Sequence, residues 1–255
     1  MSNKEKFYGV NDSNWGHKWG YKDSGFIIND DMSVTFTGSR YPICGKRLPN
    51  FIPFVEEILG VRFDTKPKIQ EVEEKYAVDP NINKPFLDEL KETFKEDRFT
   101  IDRNERILHS HGQHSTDEVY KVLYNKLEKF TDLVFYIENE EETIKLIDLA
   151  KKHDVCLIPY GGGTNVTNAL RPPKEESRMV VSVDTRRMNK IQSIDEENLM
   201  VVVQAGITGK ALEEKLNKAG FTVGHEPDSY EFSTVGGWVS TNAAGMKKHK
   251  YGNIE

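Results

Sequence analysis

A strand-helix-strand pattern that runs directly into three consecutive glycines constrains this chain more than any other part of its sequence. Residues 132–137, DLVFYI, form a short apolar run suited to a buried strand, and Asn139 followed by Glu142 has the form of a capping box. The helix predicted to run to about Lys152 carries Ile144, Ile147 and Ala150, with Leu146 and Leu149 beside them, which reads as a broad buried face. Residues 155–158, VCLI, give the second strand. A helical crossover sets its two strands parallel and delivers the chain to the carboxyl edge of the sheet, where α/β layers commonly bind ligands.

The segment delivered there is Pro159-Tyr160-Gly161-Gly162-Gly163-Thr164-Asn165. Glycines have no Cβ to block positive φ or close approach, so successive backbone N–H groups can converge on the oxygens of a pyrophosphate, with Thr164 or Asn165 completing the cradle. No Gly-Lys-Ser/Thr follows, and the GxGxxG spacing of the Rossmann fingerprint is absent, so a different nucleotide-binding architecture is implied. Taken alone, the run also suits a flexible turn.

Downstream, residues 179–184, 190–195 and 199–205 read as three further strands, and Thr208 caps a helix bearing Leu212, Leu216 and Ala219 that Gly220 stops. Residues 225–254 are dense in hydroxyls and paired glycines. Asp228, Ser229, Ser233, Thr234 and Thr241 offer side-chain hydrogen bonds, and Gly236-Gly237 lets backbone approach a flat ring; the alternative is a polar helix start stabilised by its own caps. Upstream, the aromatic opening WGHKWGYKDSGF, residues 15–26, suits an ordered arm laid on the main body. Residues 50–59 and 83–97 have helical apolar spacing, and the charged, proline-bearing residues 64–80 read as loop.

A net charge of −6 against 35 basic residues gives no pull toward nucleic acid. Cys44 and Cys156 form no CxxC pair, so neither a disulfide framework nor a cysteine zinc site is expected, and Cys156 reads as inert core. His109, His111 and His114 in HSHGQH have no companion cluster for a metal and read as surface histidines of a polar loop. Lys247 and Lys248 offer charge for a phosphate, but a solvated basic turn is the better explanation of them.

PYGGGTN, VDTRRMNKI, VQAGITG, GHEPDSYEFSTVGGWVST and GMKKHKYGNIE together resemble the alkyldihydroxyacetonephosphate synthase family, and WGYKDSGFIIND with FTGSRYPICG resembles its opening segment. The resemblance implies an α+β fold: a PCMH-type FAD-binding domain of two α+β subdomains, the second incomplete, over residues 131–255. An N-terminal extension of aromatic arm and helices, residues 1–130, would precede it. It implies FAD held non-covalently by Pro159, Tyr160, Gly161, Gly162, Gly163, Thr164 and Asn165. Asp228, Ser229, Tyr230, Glu231, Phe232, Ser233 and Thr234 would share that role, as would Thr241, Asn242, Ala243 and Ala244. The implied activity is that of a transferase of ether-lipid (plasmalogen) synthesis. It exchanges the acyl group of acyl-dihydroxyacetone phosphate for a long-chain fatty alcohol with no net oxidation.

Asn165, Asn168, Asn242 and Ala244 depart from the family pattern, which usually has serine, glycine or another residue, arginine and serine there. Each lost hydrogen bond to the cofactor weakens binding by about 0.5–1.5 kcal/mol. The family's EGTLG segment, catalytic tyrosine and histidine cluster are expected beyond Glu255, so no catalytic residue is assigned and little turnover is expected of these 255 residues alone. The family reading also brings peroxisomal localisation, with no targeting signal in this sequence, a homodimer, and peripheral membrane association through regions not in it. Two alternatives stand beside it: a non-catalytic FAD-binding or interaction protein of the same descent, and a flavin oxidoreductase of the D-lactate dehydrogenase type.

Overall fold

The computed structural model describes residues 19–21, 23–64 and 79–254. The aromatic arm therefore enters at Trp19, and nearly all of the loop expected at 64–80 lies outside the described residues. A small antiparallel sheet comes first, formed by β1 (Phe26–Ile28), β2 (Val34–Phe36) and β3 (Arg47–Leu48), with helix α1 (Phe51–Leu59) after it. Phe26 stacks on Phe51 at 5.6 Å between ring centroids, joining sheet to helix. Helix α2 (Lys84–Thr93) follows; its N-cap Asn83 accepts from Phe86 N, and Pro85 occupies the first turn, where its missing N–H costs nothing.

The main sheet uses β4 (Phe99–Thr100); then come α3 (Arg103–Leu108) and α4 (Thr116–Leu123), and the unit read from the sequence: β5 (Leu133–Tyr136), α5 (Glu140–His153) and β6 (Cys156–Tyr160). Strand β7 (Val180–Asp184) lies between β5 and β6 and pairs with both in parallel, giving the order β4-β5-β7-β6. Asn139 caps α5 by accepting from Glu142 N at 2.8 Å. Glu140, Glu141 and Glu142 fill the first turn, and Lys151, Lys152 and His153 the last, so side-chain charge opposes the helix dipole at both ends. The buried face of α5 is narrower than its apolar content predicts. Leu146, Leu149 and Ala150 are buried, whereas Ile144 and Ile147 are exposed, because α5 contacts the sheet along one stripe only.

Phe86, Leu90, Phe94, Leu133, Phe135, Leu146, Leu149, Val181 and Val183 make one core cluster, with α2 and α5 covering a face of the sheet. Burying each such side chain stabilises the fold by about 1.5–3 kcal/mol. A second cluster of Ile107, Val122, Leu127 and Phe130 joins α3 to α4. The chain then forms the antiparallel pair β8 (Ile191–Asp195) and β9 (Met200–Val203), α6 (Gly209–Lys218), α7 (Val235–Thr241) and the short α8 (Lys248–Tyr251). Ile207, Leu212 and Leu216 pack there against Ile191, Val201 and Val203. Thr208 caps α6 as predicted, accepting from Ala211 N, and Gly220 lies just beyond its end at φ 86°.

Candidate functional site

Strands β6 and β7 end side by side at Tyr160 and Asp184, and the glycine run leaves the sheet at that edge. The run packs directly on residues 232–234. A Cβ on Gly161 would lie 2.4 Å from Thr234 Oγ1, and one on Gly162 would lie 2.1 Å from Phe232 O, so no larger residue fits either position without displacing its neighbours. Segment 228–234 is in turn bound to the start of α6: Gly209 N donates to Ser233 O at 3.1 Å and Lys210 N to Tyr230 O at 3.0 Å. Thr208 and Thr234 form an isolated antiparallel bridge that sets the starts of α6 and α7 side by side. The two glycine-rich segments, more than sixty residues apart in sequence, thus form one site.

The predicted site residues fall into three groups. The first comprises residues 159–165 and 232–234, in direct contact as described. Tyr160 is buried under the loop, its ring 4.4 Å from that of His109, and burial pushes its hydroxyl up to about 12. Ser233 and Thr234 are also buried; the Ser233 hydroxyl accepts from Trp238 Nε1 at 2.8 Å, and Thr234 caps α7. The second group is Asp228, Ser229, Tyr230 and Glu231 on the turn leading in. Ser229 takes the left-handed conformation at φ 58°. The third, Thr241, Asn242, Ala243 and Ala244, closes α7 at the end opposite Thr234, about 10 Å away at 1.5 Å per residue. Gly236 serves packing: a Cβ there would lie 2.8 Å from Ala205 Cβ, so the close approach predicted for a flat ligand is occupied by the protein itself. Lys247 pairs with Glu226 at 3.1 Å and is exposed, in keeping with a solvated basic turn.

The histidine-bearing segment corrects the sequence reading at His109 and His111, while His114 is exposed as expected. His109 and His111 are 1% and 2% exposed, and their loop is the keystone of the site. Gln113 N donates to Gly163 O at 2.7 Å, while Gln113 O accepts from Trp19 Nε1 at 2.6 Å. His114 Nδ1 lies 2.7 Å from Ser229 Oγ, and its ring meets Phe232 edge-on. One short loop therefore touches the glycine run, the 228–234 turn and the aromatic opening. Seven residues separate α3 from α4. No group of histidine, cysteine and carboxylate side chains suited to a metal occurs among the described residues.

Beneath the loop lies a charged cluster. His109 Nε2 is 3.0 Å from Asp184 Oδ2 and its Nδ1 is 2.8 Å from Glu105 O, while Arg186 NH2 lies 2.5 Å from Asp184 Oδ2. Burial alone would raise the Asp184 carboxyl, but the Arg186 guanidinium and the His109 bond hold it well below the ordinary carboxylate range. Arg186 is thereby committed to the protein. The donors that the glycine run itself leaves unpaired are backbone N–H groups. Among the described residues, no protein acceptor takes the N–H groups of residues 161–165, and Asn165 Nδ2 is buried without a partner. A row of unpaired N–H groups on a loop that a Cβ would jam fits the pyrophosphate of FAD.

This fold and site define a flavoprotein domain, and a family of FAD binding domains matches residues 131–255. The alkyldihydroxyacetonephosphate synthase of Caenorhabditis elegans is 45% identical over 237 residues, covering 93% of this chain and 39% of that protein. A solved alkyldihydroxyacetonephosphate synthase structure superposes with a TM-score of 0.85 at 32% identity, over 94% of this chain and 45% of that one. The D-lactate dehydrogenase of Kluyveromyces lactis is more distant, 24% identical over 79% of this chain and 35% of that protein. The chain belongs to the alkyldihydroxyacetonephosphate synthase family and spans about two fifths of the length of the relatives it matches.

Proposed function

We propose that this chain forms the FAD-holding part of an enzyme that exchanges the acyl group of acyl-dihydroxyacetone phosphate for a long-chain fatty alcohol. The fatty acid leaves, the alcohol takes its place, and the alcohol's proton is released. The observation that carries this reading is the seating of Gly161 and Gly162 against Phe232 and Thr234, which joins the two family motifs into one anion-accepting edge. Residues 131–255 form the FAD domain behind an extension at 1–130, and residues 159–165, 228–234 and 241–244 hold the cofactor. FAD supplies the electrophilic centre at which the exchange occurs. The protein's own part here is to hold the pyrophosphate on backbone N–H groups, fix the loop through Gln113, and keep water from its underside with Tyr160 and His109. The reaction belongs to ether-lipid synthesis, placed in peroxisomes and carried out by a homodimer associated peripherally with the membrane.

The test is a purified chain reconstituted with FAD. A flavin absorption spectrum that survives desalting is expected, with labelled fatty alcohol incorporated by an enzyme that contains this chain together with the remaining family segments. Flavin bleaching by D-lactate, without alcohol incorporation, would replace this reading with the oxidoreductase one.

A further inference from the structure

We propose that the buried Glu118 carboxyl is a positioning residue for the pyrophosphate loop and takes up a proton when FAD binds there. The proposal rests on the FAD reading of that loop. Glu118, in the first turn of α4, is 0% exposed. Its Oε1 accepts from Gly112 N at 3.0 Å, and its Oε2 has no hydrogen-bond partner among the described residues. The point where a Cβ on Gly112 would lie is 2.6 Å from Glu118 Oε2, 2.9 Å from Asn165 O and 3.0 Å from Asn165 Nδ2. Glycine at 112 is what leaves room for the carboxyl and the asparagine to crowd the same point. Asn165 Oδ1 accepts from Ala169 N at 3.0 Å, which turns its unpartnered amide nitrogen toward the same point.

The charged groups around Glu118 leave it without a cation of its own. On α4, Lys121 pairs with Asp117 at 2.8 Å, and Arg171, from beyond the glycine run, pairs with the same Asp117 at 2.9 Å. The histidine loop packed against it brings His111, which burial holds down to about 4, and His114, also lowered by burial, so both are neutral near pH 7. Burial likewise raises the Glu118 carboxyl above its ordinary value. Neither Oε2 nor Asn165 Nδ2 has a hydrogen-bond partner among the described residues as it stands; ionised, Oε2 can only accept, and protonation gives it a donor for the Asn165 carbonyl. A pyrophosphate on the N–H groups of residues 161–165 adds negative charge to the other side of the loop, and like charge favours the protonated acid. Binding thus selects the protonated state, in which Glu118 has a donor for the Asn165 carbonyl at the end of the glycine run.

The experiment is calorimetry of FAD binding to the full 255-residue chain, in phosphate and in Tris, from about pH 5.5 to 8.5. The difference in apparent enthalpy between buffers counts protons. Up to one proton taken up per FAD is expected in the window where free Glu118 is ionised, with Kd rising up to about tenfold per pH unit there. Glu118→Gln, a neutral mimic of the protonated acid, is expected to bind FAD with a flat pH profile and no such uptake. Equal uptake by wild type and E118Q, no uptake by wild type, or a pH-independent loss of affinity in E118Q would each overturn the proposal. A chain that binds no FAD at any pH would overturn the FAD reading, and this inference with it.

Discussion

Replacing Gly162 by alanine tests how the site is assembled. The added Cβ would lie 2.1 Å from Phe232 O, 2.7 Å from Phe232 C and 3.0 Å from Ser233 Cα, all backbone atoms that no rotamer change can move away. Gly162 does not have a positive φ, so alanine adds no backbone strain and the clash is isolated. One partner must retreat by roughly 1 Å, an overpacking cost of about 1–3 kcal/mol. If residues 232–233 move, they strain the 2.8 Å bonds from Phe232 N and Ser233 N to Ser229 O and the 3.1 Å bond from Gly209 N; if the loop moves, it strains the 2.7 Å bond from Gln113 N. Losing one such bond adds about 1 kcal/mol, for a total of about 2–4 kcal/mol. At about 3 °C per kcal/mol for a chain of this size, the melting temperature should fall by roughly 6–12 °C, and FAD Kd should rise about 30- to 700-fold where the whole cost falls on the bound geometry. Thermal unfolding by circular dichroism and FAD titration by flavin fluorescence measure both. Gly25→Ala, whose Cβ would meet only Thr37 Oγ1 at 4.0 Å, is the control and should change melting by about 1 °C or less. A Gly162→Ala chain that melts and binds FAD like wild type would refute the packing of the loop on residues 232–233.

Three further outcomes follow from the same contacts. His111 is buried and its pKa is pushed down to about 4, so the unfolded chain takes up its proton more readily; stability is full above about pH 6.5 and declines toward pH 4, by up to about 3 kcal/mol. His111→Gln should flatten that decline, read as urea midpoints at about pH 7 and 4.5. His114→Phe keeps a ring against Phe232 but loses the 2.7 Å bond to Ser229, and should cost about 1 kcal/mol by denaturant titration together with weaker FAD retention. Thr234→Val removes the cap on Gly237 N and should cost about 1 kcal/mol, a loss that Thr234→Ser largely restores.

The parts of the fold that repeat a local period were legible in the sequence. Strands β5, β6, β7, β8 and β9 fall where the apolar runs placed them, and α5 and α6 begin at the caps read from Asn139 and Thr208. The insertion of β7 between β5 and β6 was not legible, because a parallel crossover fixes direction without fixing which strand is the neighbour. The exposure of Ile144 and Ile147 was hidden for a similar reason: residue type reveals how much of a helix is apolar, whereas the partner sets how wide a stripe is covered. At the site, the glycine run and residues 228–234 were visible as motifs. The buried role of His109, Gln113 and Glu118 and the contacts of exposed His114 were not, since polar residues in a short loop look the same whether they face water or one another until the opposing surface is known.

The tie between His114 and Ser229 spans 115 residues, and that between Trp19 and Gln113 spans 94. Closing loops of that length is entropically costly and is deferred until shorter-range structure has formed. The cofactor edge is accordingly one of the last parts of the chain to mature, and a growing chain cannot present it before Thr234 has emerged from the ribosome. A ligand that recognises only late contacts leaves the folding rate nearly unchanged and slows unfolding instead. FAD should therefore act on this protein chiefly as a lock on its lifetime once folded.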